Sequence, residues 1–203
     1  MNKNEHFVLG ADFGSDSVRV VVLDAADGSV QGSDARFFER WKKGLYCDPK
    51  ENRFRQHPLD YIESFTAAVK GAIKEAQAKN KKAAALICAV CMDTTGSTPA
   101  LTDKNGTPLA LLPEFAEDPD AMFILWKDHT AVAEADEINA LCKNWGGKDY
   151  TRYSGGTYSS EWFWSKLLHT IRKNKKVKKA AFCAVEHCDW MTALLCGKAA
   201  PDK

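Results

Sequence analysis

One carboxylate lies next to a turn of small and polar residues near the start of the sequence. Asp12 ends an apolar, β-branched run and a second such run begins at Val18, so the two runs predict the strands of a hairpin. The turn between them consists of Gly14, Ser15, Asp16 and Ser17. A glycine with positive φ lets the amides of such a turn form a nest for a phosphate, beside which a carboxylate can hold Mg²⁺. These parts suit phosphoryl transfer, and the alternative is an ordinary hairpin with an exposed aspartate.

A second polar cluster follows the nearly continuous apolar run 84–92, which predicts a buried central strand. Polar residues at the carboxyl end of such a strand lie where open α/β sheets bind ligands. The cluster offers hydroxyl groups and a glycine that lets a ligand come close, at Thr94, Thr95, Gly96, Ser97 and Thr98. A polyhydroxylated substrate would suit this surface, whereas the alternative is a plain turn between strand and loop.

Two further motifs contain residue types that could bind a ligand. The motif that begins at Trp126 joins a flat apolar ring to charged groups, including Asp128. Sugar sites use an aromatic ring for the C–H face of a substrate and polar groups for its hydroxyls, but a tryptophan is also commonly buried in a core. Cys88 and Cys91 form a C-x-x-C motif, but an offset of three places them on opposite faces of a strand, which argues against a shared metal ion.

The elements that would position these residues are strands at the beginning, followed by helices alternating with strands. We predict strands at 7–12, 17–24, 30–39, 84–92 and 180–185, and helices at 58–79, 130–142, 159–171 and 189–196. In the third helix, Ser159 or Ser160 is expected to form the cap. The apolar face of that helix is predicted to consist of Trp164, Leu167, Leu168 and Ile171.

The overall composition argues against several classes of protein. The 203 residues include 28 basic and 27 acidic ones, for a net charge of +1, so we expect no general attraction to nucleic acid or to an anionic membrane. We find no secretory signal and no apolar run near the roughly 20 residues that a membrane span requires. Seven irregularly spaced cysteines fit reduced thiols, so we expect a cytoplasmic protein.

The Asp-x-Gly hairpin resembles the first phosphate loop of the superfamily that contains actin, sugar kinases and heat-shock ATPases. Taken with other motifs, it closely resembles the amino-terminal part of bacterial L-ribulokinases, which are members of the FGGY family of carbohydrate kinases. The motifs are GADFGSDSVR at 10–19, FRQHP at 54–58, DYIES at 60–64, DTTGSTP at 93–99, PEFAE at 113–117, LWKDHTA at 125–131, YSSEWFW at 158–164 and CDW at 188–190. The motifs at 93–99 and 125–131 are the most family-specific, and they favour ribulokinases over glycerol kinases or xylulokinases.

The resemblance implies an α/β architecture, the actin-like (ribonuclease H-like) ATPase fold, with a mixed sheet, flanking helices and two domains around a cleft. Residues 1–203 would be an incomplete first domain, because family members are more than twice as long. The resemblance places the adenosine-binding second domain beyond Lys203, together with the aspartate that acts as general base.

The resemblance also implies a reaction, namely transfer of the γ-phosphate of ATP to the 5-hydroxyl of L-ribulose in arabinose catabolism, with Mg²⁺. Asp12 would be the catalytic, metal-positioning carboxylate. Phosphate would bind at Gly14, Ser15, Asp16, Ser17 and Arg19. The sugar would bind at Thr94, Thr95, Gly96, Ser97, Thr98, Trp126, Asp128 and Tyr153. The expected partners are therefore L-ribulose and ATP, without nucleic acid or membrane, and a homodimer is left open.

A second class of function stays open as well. Actin-like domains also occur in proteins that bind a sugar or a nucleotide without turnover, and a chain with half of a kinase could be such a binding module. In either case we expect the isolated chain not to phosphorylate L-ribulose. Phosphoryl transfer requires acceptor, base, metal and γ-phosphate to be aligned in one closed cleft.

Overall fold

The computed structural model describes residues 6–197, and the chain divides into two compact units. Within the described residues, unit 1 consists of 6–45 together with Leu59–Thr95. Unit 2 consists of Tyr46–Pro58 together with residues 96–197. The assignment of residues 1–203 to one truncated domain stays a prediction.

Strands and helices alternate along much of the chain. In chain order the described strands are β1 (Phe7–Phe13), β2 (Ser17–Asp24), β3 (Val30–Phe37), β4 (Arg55–Gln56), β5 (Ile87–Thr94), β6 (Pro99–Thr102), β7 (Phe123–Ile124) and β8 (Cys183–Glu186). The described α-helices are α1 (Glu39–Lys42), α2 (Pro58–Lys79), α3 (Ala83–Leu86), α4 (Val132–Asn144), α5 (Phe163–Lys173), α6 (Lys175–Ala180) and α7 (His187–Leu195). Short 3₁₀ helices lie at Pro49–Glu51, Leu109–Leu111, Pro113–Phe115, Pro119–Ala121 and Tyr150–Tyr153.

A mixed sheet forms the centre of the described part of unit 1, with the strand order β3-β2-β1-β5. β1 pairs antiparallel with β2 and parallel with β5, and β2 pairs antiparallel with β3. Every second residue of β1 is buried, which is the alternation expected of a strand with one face toward a core. The predicted hairpin is therefore confirmed, and the third predicted strand pairs antiparallel with β2.

Helix α2 packs against this sheet. The ring of Phe13 in β1 contacts Tyr61 and Phe65 of α2, with ring centroids 6.1 and 5.5 Å apart. At Gly32 in β3, an added Cβ would overlap the backbone of Ala72, so the absence of a side chain is what allows this close approach. The helix spans the residues that its apolar spacing predicts.

The burial predicted for the apolar run 84–92 is wrong. Its first residues belong to the short helix α3, and most side chains of β5 are exposed, with Val90 at 50%. Among the described residues, β5 pairs with β1 on one side and forms the edge of the sheet on the other. An apolar run favours burial, but burial also requires a covering element, and the run itself does not say whether the described chain supplies one.

Short strand pairs in unit 2 join segments that are distant in sequence. β4 pairs with β7, and β6 pairs with β8, both antiparallel. Helix α5 is joined to α4 by a hydrogen bond between His169 Nδ1 and the carboxylate of Glu134 and by an ion pair between Arg172 and Glu137. A buried cluster fills the space around β6 and α5 and includes Leu101, Leu109, Ala110, Phe115, Ala121, Met122, Leu167 and Val177.

Helix α5 differs from its prediction in both its cap and its buried face. Trp162 precedes the first helical residue and its side chain makes no capping hydrogen bond, so the predicted serine cap is wrong. The amide of Trp164 in the first turn donates instead to the hydroxyl of Tyr158 at 2.9 Å. Trp164 is 65% exposed although it was expected on the apolar face. Leu167 is buried as predicted, and the other buried residues of the helix are Ser165, Lys166 and Thr170. Polar side chains can be buried here because nearby carbonyl groups accept their hydrogen bonds, as those of residues 159 and 162 do for Ser165 Oγ.

Two observations bear on the surroundings of the protein. None of the helices in residues 6–197 has the length and apolar character that crossing a bilayer would demand. All seven cysteines lie within the described residues, and each is a free thiol.

Candidate functional site

Asp12 and Arg19 face each other across the first hairpin of unit 1. They are register partners in the β1–β2 pair, so their side chains leave the same face of the sheet. Both Nη2 and Nε of Arg19 donate to Oδ2 of Asp12, at 2.5 and 3.1 Å. Both side chains are substantially exposed, so the pair is accessible to a ligand and contributes little to stability.

The turn between these strands is tighter than the predicted phosphate nest. Gly14 does not adopt a positive φ, and its amide donates to the carbonyl of Ser17 at 2.9 Å, so the expected left-handed glycine is wrong. Asp16 fastens the turn to the following segment, because its carboxylate accepts from Trp41 Nε1 at 2.6 Å and its carbonyl accepts from the amide of Phe38. Phosphate binding by these residues stays a prediction.

A cleft of about 630 Å³ opens on the sheet of unit 1 beside this hairpin. Its polar lining includes Asp12, Arg19, Asp34 and Asp93, and the rest is largely apolar. Asp12 and Asp93 are register partners in the parallel β1–β5 pair, so two carboxylates stand side by side at one wall. A cleft with paired carboxylates and one guanidinium can bind an anion together with a cation.

The carboxylates of this cleft suit Mg²⁺ only when phosphate oxygens complete its coordination shell. No group of three or more His, Cys, Asp or Glu side chains within the described residues is arranged to hold a metal ion. Mg²⁺ keeps much of its water and takes one or two carboxylates, with phosphate oxygens completing its shell. Asp12 with Asp93 beside it therefore suits an ion that arrives with a phosphate, and does not suit an ion held by protein ligands alone.

In unit 2, the predicted sugar residue Ser97 is held by Glu186 at the end of β8. The hydroxyl of Ser97 donates to Oε1 of Glu186 in a short hydrogen bond, and the amide of Thr98 donates to Oε2 at 2.7 Å. The carbonyl of Thr98 accepts from the amide of His187 at 3.2 Å. This segment is therefore fixed through backbone and side chain at the point where β6 begins.

The second support of this segment is the ammonium group of Lys166. Lys166 is 1% exposed, and its Nζ donates to the carbonyls of Ser97 at 2.7 Å, Leu125 at 2.9 Å and Ile124 at 3.4 Å. Burial lowers the pKa of Lys166 to about 8, while the carboxylates of Asp128 and Glu186 oppose that shift. Sequence reasoning missed this residue, because a lysine in an amphipathic helix ordinarily indicates an exposed position.

Asp128 is fully buried, unlike a residue that presents its side chain to a ligand. Its carboxylate accepts from the amides of Phe54 and Thr130 at 2.7 and 3.0 Å, and from Thr130 Oγ1 at 2.6 Å. The buried guanidinium of Arg55 lies 3.4 Å from Oδ2. In this structure Asp128 therefore holds the loop that follows β7, and a direct contact with a sugar would require that loop to open.

Trp126 and Tyr153, by contrast, present their rings to solvent. Trp126 is 39% exposed and directly follows Leu125, whose carbonyl binds Lys166. Tyr153 is 64% exposed, and the ammonium of Lys148 lies 4.8 Å from its ring centroid. The residues that the structure brings together in unit 2 are thus Ser97, Thr98 and the backbone leading into Trp126. In unit 1, Thr94 and Thr95 are half-buried, and Thr94 Oγ1 donates to the carbonyl of Thr95 at 3.3 Å.

Comparison with known proteins relates the chain to a group of sugar kinases. No protein-family model matches it. It is 47% identical over 203 residues to the ribulokinase of Vibrio parahaemolyticus and 34% identical over 201 residues to that of Mycolicibacterium smegmatis. These matches cover 100% and 95% of this chain but 35% and 34% of the relatives, so the chain spans about a third of their length. The resemblance to ribulokinases seen in the motifs is confirmed.

Solved structures extend the similarity to the fold. The xylulose kinase of Bifidobacterium adolescentis superimposes with a TM-score of 0.69, covering 99% of this chain and 36% of that one at 14% identity. The kinase of Brucella ovis, described as a xylulose kinase, gives 0.68, covering 93% and 34% at 18% identity. Such low identities show the fold alone. The predicted actin-like α/β fold of sugar kinases, with a mixed sheet and flanking helices, is confirmed.

Proposed function

We propose that this homologue of ribulokinases is the sugar- and phosphate-binding portion of an ATP-dependent kinase that phosphorylates the 5-hydroxyl of L-ribulose. The observation that carries the proposal is the 47% identity to a ribulokinase along all 203 residues. The chain spans about a third of such relatives, so the activity of a whole kinase is inferred and not assigned to this chain alone.

Unit 1 supplies the groups that suit a transferring phosphate. Arg19 can exchange its partner Asp12 for phosphate oxygens, because a guanidinium binds carboxylate and phosphate with the same planar geometry. The freed carboxylate of Asp12, with Asp93 beside it, would then hold Mg²⁺ brought in with ATP. When bound, the ion would neutralise charge on the phosphate oxygens. The amides of residues 14–17 are proposed to contact phosphate after the Gly14 hydrogen bond opens.

Unit 2 supplies groups that suit a sugar. The exposed ring of Trp126 offers a flat surface for the C–H side of a ketopentose. Ser97 lies on a fixed segment, so a hydrogen bond from it would be made without a large cost in chain entropy. Thr98 is fully buried, so it is proposed to act by holding that segment in place. Tyr153 is proposed as a further contact, while Thr94, Thr95 and Gly96 stay predicted ones. Asp128 is proposed to act by holding the loop that carries Trp126.

The setting of the enzyme is part of the proposal. Free cysteines throughout the described chain support a reducing compartment such as the cytoplasm. The balanced charge of 28 basic and 27 acidic residues favours small-molecule ligands over nucleic acid or an anionic membrane. Pairing with a second copy, left open by the sequence, stays a prediction.

An exchange experiment tests the proposal. The segment of the Vibrio parahaemolyticus ribulokinase that aligns with this chain is replaced by this chain, and L-ribulose-dependent ADP release is measured. We expect turnover in the chimera and none from the isolated chain. Trp126→Ala in the chimera should raise KM for L-ribulose by about tenfold or more, ~1.4 kcal/mol, and leave KM for ATP within about twofold.

A matched control and two contrary outcomes complete the design. Trp145→Ala removes another exposed tryptophan of unit 2, 54% exposed against 39% for Trp126, and should leave both KM values unchanged. A folded chimera that binds ATP but does not phosphorylate L-ribulose would contradict the kinase proposal. A chimera that binds L-ribulose without turnover would support the non-catalytic binding module instead.

A further inference from the structure

Lys166 forms hydrogen bonds to two backbone segments that are distant in sequence. An ammonium group has three N–H donors and no acceptor, and three backbone carbonyls lie within hydrogen-bonding distance of Lys166 Nζ. One carbonyl belongs to Ser97 and two belong to Ile124 and Leu125, the residues directly before Trp126. A single buried cation therefore joins the segment 96–98 to the segment 124–126.

Glu186, the last residue of β8, binds the segment 96–98 through its carboxylate. It accepts the hydroxyl of Ser97 and the amide of Thr98, while Lys166 takes the carbonyl of Ser97. Ser97 is thus bound through its side chain and its carbonyl to groups of opposite charge. We call the pair Lys166 and Glu186 the carbonyl clamp.

We propose that the carbonyl clamp fixes segments 96–98 and 124–126 in a single arrangement, so that Lys166 and Glu186 are positioning residues for the sugar site. The inference rests on the proposed function, because those segments carry the proposed sugar contacts Ser97 and Trp126. Neither clamp residue touches the sugar in this proposal. Their role is to keep a hydroxyl-bearing segment and an aromatic ring at a set separation, which recognition of a small polyol requires.

The chemistry of the clamp favours lysine over other residues at this position. A buried ammonium is costly unless its donors are paired, and here each donor has a carbonyl within reach. Methionine at 166 would have a similar shape but would leave the carbonyls of two segments without that partner. A planar guanidinium points its donors along a fixed fork, so Lys166→Arg is not a conservative change here.

Amide hydrogen exchange on the 203-residue chain tests the clamp directly. In Lys166→Met, peptides covering 96–98 and 124–126 should exchange at least about tenfold faster than in the unaltered chain. In Glu186→Gln, which is the milder change for folding, only the peptide covering 96–98 should accelerate. Lys173→Met, an exposed lysine of the same helix, is the matched control and should change neither.

The exchange rates of different segments distinguish a positioning role from a general loss of stability. A general loss would accelerate exchange in helix α4 as well, so the rates in α4 serve as the internal reference. The proposal is overturned if Lys166→Met leaves either segment within about twofold of the Lys173→Met control after that correction. It is also overturned if Glu186→Gln accelerates both segments equally.

Kinetics in the ribulokinase chimera then test the link to the sugar. Either clamp variant should raise KM for L-ribulose by about tenfold or more while leaving KM for ATP within about twofold. Equal changes in both constants would overturn the positioning role. If the unaltered chimera lacks activity, the proposed function fails, and hydrogen exchange still decides whether the clamp exists.

Discussion

His187 should make the folded chain sensitive to acid. The ring is 1% exposed, and its centroid lies 5.4 Å from that of Phe123, which in turn packs against Trp190 at 5.2 Å. Burial lowers the pKa of His187 to about 3, because a charged imidazolium would lose its hydration there. Its amide also donates to the carbonyl of Thr98, so the backbone of His187 is joined to the segment that Glu186 holds.

The sign and the size of the effect follow from the two protonation equilibria. An unfolded histidine has a pKa of about 6.5, so between about pH 6.5 and about pH 3 the unfolded chain binds a proton that the folded chain does not. The free energy of unfolding therefore falls as the pH falls through this window. The full difference between the pKa values of the unfolded and folded states corresponds to about 5 kcal/mol of unfolding free energy, of which about 2 kcal/mol is lost by about pH 5.

Urea unfolding followed by tryptophan fluorescence measures this effect. We expect the unfolding free energy of the unaltered chain to fall relative to that of His187→Leu by about 2 kcal/mol between about pH 7.5 and about pH 5. His6→Leu removes an exposed histidine and is the control that should titrate in parallel with the unaltered chain. Parallel pH dependences of the unaltered chain and His187→Leu, within about 0.5 kcal/mol, would refute the reasoning.

Two further predictions concern unit 1. Gly32→Ala should lower the free energy of unfolding, measured with urea, by about 1–3 kcal/mol, because the added Cβ overlaps the backbone of Ala72. Gly10→Ala is the control: its Cβ would lie 3.5 Å from the nearest side-chain atom, so the free energy of unfolding should fall by less. Asp12→Ala in the ribulokinase chimera should lower kcat by about a hundredfold or more, ~2.7 kcal/mol, in a steady-state ADP-release assay, and near-normal kcat in a folded variant would count against a role in metal positioning.

The elements predicted correctly are those whose signal lies within a few neighbouring residues. The hairpin of β1 and β2 follows from period-two alternation, and the extent of α2 follows from apolar residues at helical spacing. The burial of β5 was predicted wrongly because burial depends on neighbours that the strand does not encode. The same holds for Trp164, whose apolar character indicated a core position that the packing of α5 does not provide.

The candidate site shows the same division between local and distant information. The motifs at 93–99 and 125–131 are recognisable as sequences, and the resemblance to ribulokinases predicts a sugar site there. The residues that support those segments lie elsewhere, since Lys166 is 69 positions from Ser97 and Glu186 is 89. No spacing rule connects residues at such separations, so the carbonyl clamp could be found only from coordinates.

The clamp changes how a substitution at Ser97 should be interpreted. From the sequence, Ser97→Ala removes a hydroxyl that would bind the sugar, and weaker binding would identify a direct contact. In the structure that hydroxyl already donates to Glu186, so the same loss follows if the segment is merely released. Glu186→Gln separates the two cases, because it keeps the Ser97 hydroxyl and alters its anchor. If both variants weaken L-ribulose binding alike, the hydroxyl acts chiefly by holding the backbone in place. A larger loss in Ser97→Ala would mean that its oxygen also accepts a hydrogen bond from the sugar.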